Sequence, residues 1–188
     1  MRVHSFSTTV STAALLALGA WAPSYSQQFS KDSLAPYIPS PQEVVDRMLS
    51  AARVKPGEMV YDLGSGDGRI IITAAQKFQA HAVGVELRAD LCKSTQARIK
   101  SLGLEDRVKL IHENMLKVDL SPADVVTMWF LTNSNLRLRP HLESQLKIGA
   151  RVVSNEFPIR GWKATEMIQV KVGRVEHSIF VYEIGKTQ

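Results

Sequence analysis

Apolar and polar positions follow two rhythms along this chain. Val44, Val45, Met48, Leu49 and Ala52 recur at helical spacing, which predicts a first helix ending before Pro56-Gly57. Ahead of it, Pro36, Pro39 and Pro41 keep the chain extended. Ser40, Pro41, Gln42 and Glu43 read as a capping box with proline at the first helical position. Short apolar runs then alternate with helical patterns. Strands are predicted over residues 58–63, 80–87, 108–112, 123–130 and 151–157, and helices over 68–78, 89–102 and 132–147. Leu91, Thr95, Ile99 and Leu102 share one helical face, while Pro140 should disturb the last helix. The terminal run "EMIQVKVGRVEHSIFVYEI" alternates in two halves around Gly173-Arg174 and reads as a β-hairpin. The expected fold is α/β: a Rossmann-like, doubly wound, mostly parallel seven-stranded sheet with helices on both faces and the antiparallel hairpin at its edge.

Residues 1–28 belong to a different pattern. They hold Arg2 and no acid, then an apolar stretch over 12–22, then small residues near Pro23 to Ser26. This is the layout of a secretory signal peptide, with an uncleaved amino-terminal anchor as its competitor. The expectation is a single domain over residues 29–188, exported or membrane-anchored, although a cytoplasmic ligand would favour retention on that side. Removing Arg2 takes the formal charge from +5 to 22 − 18 = +4. The balance is moderately basic, but no Lys/Arg run reads as a nucleic-acid arm. Cys92 is the only cysteine, which excludes an intramolecular disulfide and a cysteine-based zinc site. The five histidines show no ligand spacing, so no metal is expected.

The chemistry concentrates in "MVYDLGSGDGRI" at the end of the first predicted strand. A P-loop needs Lys-Ser or Lys-Thr after its last glycine, and Arg69 follows Gly68 here. A dinucleotide fingerprint starting at Gly64 would need a third glycine at position 69, which weakens a nicotinamide reading without excluding it. Acid-x-Gly-x-Gly-x-Gly fits fully, with Asp62, Gly64, Gly66 and Gly68 and with Ser65 between the first two glycines. That pattern suits S-adenosylmethionine. The carboxylate meets its ammonium, the glycines admit a close backbone, and free N–H groups at the following helix start suit its carboxylate. Glu86 stands 18 positions beyond Gly68 at the end of the second strand, where an acid can accept from ribose hydroxyls. Asn114, at the end of the third strand, would serve the adenine edge, with Met115 or Leu87 against a ring face. Taken singly, Glu86 also reads as a surface acid or helix cap, and Asn114 as a turn residue.

The segments "PYIPSPQEVVDRML", "VYDLGSGDGRIIITAA", "AVGVEL", "VVTMWFLTNSNLRLRPHLESQLKIGARVVSNEF" and "IRGWKATEMI" resemble class I, seven-strand S-adenosylmethionine-dependent methyltransferases. More narrowly, they resemble the protein-lysine methyltransferase group. That group contains an archaeal broad-specificity enzyme and mitochondrial enzymes acting on the ATP synthase c subunit and the adenine nucleotide translocase. The resemblance implies a protein partner offering lysine side chains. It implies that Asp62, Gly64, Gly66 and Glu86 hold the cofactor, and that Tyr37, Ile38, Pro39 and Ser40 cover it and shape the lysine entrance. Phe130 to Asn133 would lie beside the transferring methyl, with Glu156 and Phe157 on the substrate side. Tyr37, Trp129 or Phe157 would line an aromatic channel. The absence of Asn/Asp-Pro-Pro-Tyr after the fourth strand argues against methylation of base amines. A small-molecule methyltransferase, or an exported protein that binds the cofactor without turnover, stays open as an alternative.

Overall fold

The computed structural model describes residues 37–187. The export-signal reading of residues 1–28 therefore lies outside the described residues. The elements are α1 (Gln42–Ala51), β1 (Met59–Leu63), α2 (Arg69–Phe78), β2 (His81–Glu86), α3 (Ala89–Ser101), β3 (Val108–His112), a 3-10 turn (Met115–Lys117), β4 (Val125–Met128), α4 (Thr132–Gln145), β5 (Arg151–Asn155), β6 (Glu166–Val172) and β7 (Val175–Glu183). One sheet carries all seven strands in the order β3-β2-β1-β4-β5-β7-β6. The pairs from β3 to β5 are parallel, and β7 runs antiparallel between β5 and β6. The order reverses direction beside β1, so the crevice outside the carboxyl ends of β1 and β4 is the switch point where such sheets bind ligands.

Strand periodicity sorts the residues onto two faces. Val60, Ala82, Val125, Val153, Ile179 and Val181 pack with α1, α2 and Ile99 of α3. Tyr61, Leu63, Val83, Val85, Val126, Met128, Val152 and Tyr182 pack with Leu138 and Leu142 of α4. Fully burying each such aliphatic side chain stabilises by roughly 1.5–3 kcal/mol, which fixes strand register because a one-residue slip would turn the whole set outward.

Several sequence expectations need correction. The capping box does not form: α1 starts after Pro41, whose extended φ and ψ make it the cap, and no side-chain capping bond is present. The Ser40 carbonyl instead accepts from Arg69 Nη1. Pro140 sits inside α4 without ending it. Proline removes one N–H from the ladder, yet the buried contacts of Leu138 and Leu142 on either side hold the segment helical. Leu102 caps α3 and is 43% exposed, so it does not join the face of Thr95 and Ile99. The second, fourth and fifth strands are shorter than their apolar runs, because residues past Glu86, Met128 and Asn155 turn away at the carboxyl edge.

The two ends of the sheet use charge differently. At the amino edge, Arg151 pairs with Glu58 at 2.6 Å, and Asp124 takes both the Met59 N–H and Lys147. Those groups serve one another. At the carboxyl edge stand Asp62, Glu86, Thr127 and Asn155, all buried, and not all of them are satisfied.

Candidate active site

The glycine loop bends through left-handed conformations at Gly64, Gly66 and Gly68. Space requires glycine there too. A Cβ on Gly64 would stand 3.0 Å from Phe130 Cζ, one on Gly68 would meet Thr95 Cγ2 at 2.5 Å, and one on Gly66 would run into the Tyr37 ring. Phe130 and Tyr37 therefore pack against the loop at its first and second glycine. Thr95 Oγ1 donates to the Gly66 carbonyl at 2.8 Å and ties the loop to α3.

Asp62 is 3% exposed and accepts from Thr127 Oγ1 at 2.7 Å. Burial pushes its carboxyl up to about 7 against that bond, and the charges of Glu86 and Asp67 push the same way. A cation placed beside so buried an acid would favour its ionised form. Glu86 has the opposite character. Its Oε2 accepts from Gly66 N–H at 2.8 Å, and its Oε1 accepts from the N–H groups of Leu87 and Arg88, each at 2.9 Å. A carboxylate offers about four acceptor positions, so Glu86 retains one for a ligand hydroxyl while it holds the loop shut.

The expected row of free N–H groups is mostly absent. Gly64 and Ser65 donate to the Val85 carbonyl, Gly68 to the Ser65 carbonyl, and Arg69 to Asp67 Oδ1. Ser65 also turns away from the crevice. A Cβ on Gly84 of β2 would stand 2.7 Å from its Oγ, which is buried and without a partner among the described residues.

Arg69, used in the sequence only to reject other loops, is the main connector of the site. Its Nε and Nη2 reach Asp67 at 2.9 and 2.6 Å, and Nη1 donates to the Ser40 carbonyl. Burial alone would raise Asp67, but the bonds and charge of Arg69 more than offset this and hold it below the usual carboxylate range. The same cluster bears on Tyr37, which burial, then the Asp67 charge, push up. Arg69 thus fixes residues 37–40 over the glycine loop. Ser40 is buried there, whereas Pro39 and Ile38 face outward.

The remaining expected residues divide into two groups. Asn114 does cap a turn, its Oδ1 accepting from Leu116 N–H at 3.0 Å, and its amide nitrogen has no partner among the described residues. Met115 is buried in the α4-side core, and Leu87 is half-buried beside Glu86. Phe130 is buried against Gly64, but Asn133 is exposed on the first turn of α4. Glu156 and Phe157 follow β5 in a tight turn: Phe157 N–H donates to the Asn155 carbonyl at 2.8 Å, and Glu156 has φ of 65°. Such a γ-turn is rare for a residue with a Cβ, and strain of this kind collects at functional sites. Ser154 Oγ and Asn135 Nδ2 both donate to the Phe157 carbonyl and hold the turn. Thr127, Thr95, Arg69, Asn155 and His177 were given no role at the site from sequence. Alternation along the fourth strand was the available signal for Thr127, since it shares the face of Val125. Among the described residues, no group of three or more His, Cys, Asp or Glu is placed to hold a metal ion.

The observed strand order, the switch-point crevice, the glycine cradle and two buried acids at successive strand ends define a class I S-adenosylmethionine-dependent methyltransferase. Similarity to known proteins agrees. A protein-lysine N-methyltransferase of Saccharolobus islandicus (strain REY15A) is 49% identical over 80% of this chain and 94% of that protein. The adenine nucleotide translocase lysine N-methyltransferase of Mus musculus is 33% identical over 74% of this chain and 61% of its own length. A crystal structure described as an RNA methyltransferase from Salinibacter ruber in complex with S-adenosyl-L-homocysteine superposes with a TM-score of 0.74 at 38% identity, covering 78% of this chain and 94% of that one. Residues 62–166 match the ANTKMT methyltransferase domain, and the chain belongs to that family.

Proposed function

We propose that the chain is a protein-lysine N-methyltransferase. The observation that carries this reading is the 49% identity with the archaeal protein of that name, over nearly the whole of that protein's length. The site chemistry is consistent with it. S-adenosylmethionine supplies a methyl already activated on a sulfonium, so the chain has to bind, orient and exclude water. Asp62 would hold the ammonium of the donor, the spare acceptor of Glu86 a ribose hydroxyl, and the Asn114 amide the adenine edge. Met115 and Leu87 would flank the ring. Gly64 and Gly66 let the backbone approach, with Phe130 and Tyr37 closing the sides. A lysine must lose its proton before it attacks, and the buried surroundings of Phe130 and Asn155 disfavour its ammonium form. Trp129, Tyr37 and Phe157 offer faces for the cation on approach.

The test is incubation of the purified chain with methyl-labelled cofactor and a lysine-rich protein mixture, followed by peptide mapping. Label on lysine supports the reading. A second reading follows from the likeness to the structure described as an RNA methyltransferase. Label recovered in RNA and not in protein would favour it. We further propose that residues 1–28 act as an export signal or anchor, from their charge and apolar layout. Amino-terminal sequencing after cell fractionation tests this; an intact Met1 on protein recovered wholly from the soluble cytoplasm would count against it.

A further inference from the structure

The face of the sheet that packs on α1 and α2 carries a row of buried polar residues at its carboxyl edge. Side-chain alternation puts Asp62 with Val60 on β1, Thr127 with Val125 on β4, Asn155 with Val153 on β5, and His177 with Ile179 on β7. Their exposures are 3, 0, 0 and 7%. Thr127 Oγ1 donates to Asp62, as described above. Asn155 makes no such bond: neither its Oδ1 nor its Nδ2 has a hydrogen-bond partner among the described residues. A fully buried amide with both ends unpaired is costly, and such groups call for a ligand or water.

The neighbouring strand holds a second unexplained group. His177 Nδ1 lies 2.5 Å from Glu156 Oε1, and Glu156 Oε2 is 3.5 Å from Ser178 N–H. The carboxylate can only accept, so Nδ1 carries a hydrogen, and Nε2 is the ring nitrogen at which a proton can be gained or lost. Nε2 has no protein partner among the described residues and is not among the fully enclosed atoms. Glu156 can hold this position because of its left-handed turn, which the Ser154 and Asn135 bonds to Phe157 fix. The strained turn therefore has a consequence: it aims a carboxylate at a histidine one strand away. Carboxylate, histidine and an open nitrogen form an oriented proton acceptor.

β1 and β5 are two strand spacings apart, roughly 10 Å. The row thus runs from the acid suited to the donor's ammonium to an amide and an imidazole with free acceptors. We propose that Asn155 and His177 form the acceptor-amine subsite: Asn155 Oδ1 accepts from the incoming amine and orients it, and His177 Nε2 takes its proton. This rests on the lysine reading above. The proton passes from the lysine ammonium to Nε2, and Glu156 stabilises the imidazolium. The freed electron pair forms the new N–C bond, the S–C pair remains on the departing thioether, and the imidazolium returns its proton to solvent.

Two measurements test this, one without turnover. The probe is a lysine-containing peptide, with a norleucine peptide of the same sequence as control. In the chain saturated with S-adenosylhomocysteine, the imidazole nitrogen resonances of His177 should move with the lysine peptide and not with the control. For rates at saturating S-adenosylmethionine, His177→Gln, which keeps a donor towards Glu156 but cannot accept the proton, should lower kcat about 10²-fold. Its KM and its melting shift with S-adenosylhomocysteine should stay near wild type. Imidazole should restore part of the rate to His177→Ala, which a merely structural role would not allow. Asn155→Ala should raise KM and lower kcat together, and Asn155→Asp serves if alanine prevents folding. Wild-type kcat and KM in His177→Gln and in either folded Asn155 variant, with unmoved His177 resonances, overturn the proposal and leave the lysine reading standing. A wild-type chain that binds the cofactor but labels no lysine in any protein or peptide overturns both.

Discussion

Asp62 is held in a state that suits a ligand better than it suits the empty fold. Its folded value of about 7 lies above the 3.8 of an ordinary aspartate. Between these values the unfolded chain releases the proton while the folded chain keeps it. Stability from this group is therefore full below the unfolded value and is lost as pH rises through the folded one, a difference on the order of 4 kcal/mol. Asp62→Asn should raise the melting temperature of the cofactor-free chain at about pH 8. The same variant should lose the melting shift that S-adenosylmethionine produces in wild type. A variant that melts lower than wild type in the absence of cofactor would show that Asp62 is structural instead. For the wild type, calorimetric affinity for the cofactor should weaken about tenfold per pH unit below the folded value, because binding must then displace a proton. Thr127→Val removes the side-chain donor that Asp62 has among the described residues and should move this pH dependence upward. At the neighbouring loop, Gly66→Ala must both adopt a left-handed φ of 55° and displace the Tyr37 ring. A loss of about 1–3 kcal/mol in denaturant titration is expected, together with weaker cofactor binding.

Among the elements, the join between residues 37–41 and α2 depends on Arg69. One guanidinium spans Asp67 and the Ser40 carbonyl, a fork that lysine cannot reproduce. Both Arg69→Ala and Arg69→Lys should therefore speed hydrogen exchange at residues 37–40 while exchange in β1 and β4 stays slow. Equal protection in wild type and both variants would locate the anchoring elsewhere. This join also marks where the sequence stopped being readable. Elements with long periodic runs were legible: α2, α3, the parallel strands and the hairpin at Gly173-Arg174 all follow their patterns. The glycine loop and both acids were legible as well, since they depend on local spacing. Arg69, Thr127 and His177 were not, because each acts on a residue distant in sequence: Arg69 on Ser40, Thr127 on Asp62, and His177 on Glu156. The capping box failed for a related reason, with the Ser40 carbonyl engaged by Arg69 and the helix starting one residue later than its motif suggested.

Across the whole molecule, one sheet divides the labour between its ends. The amino edge is closed by mutual ion pairs, and the carboxyl edge keeps buried polar groups without partners among the described residues. Ligand binding to the folded chain alone should then stabilise all of it. At a hundredfold excess over Kd the cofactor should add about 2.7 kcal/mol. Affinity alone, however, leaves the methyl acceptor open, and the claim that matters most is lysine methylation. Peptide mapping by mass spectrometry after incubation with methyl-labelled S-adenosylmethionine and a lysine-rich protein mixture tests it most directly. The account predicts label on lysine side-chain nitrogens in wild type and a large loss of it in Asp62→Ala. Label confined to RNA, or its absence from lysine in a chain that binds the cofactor, would contradict it.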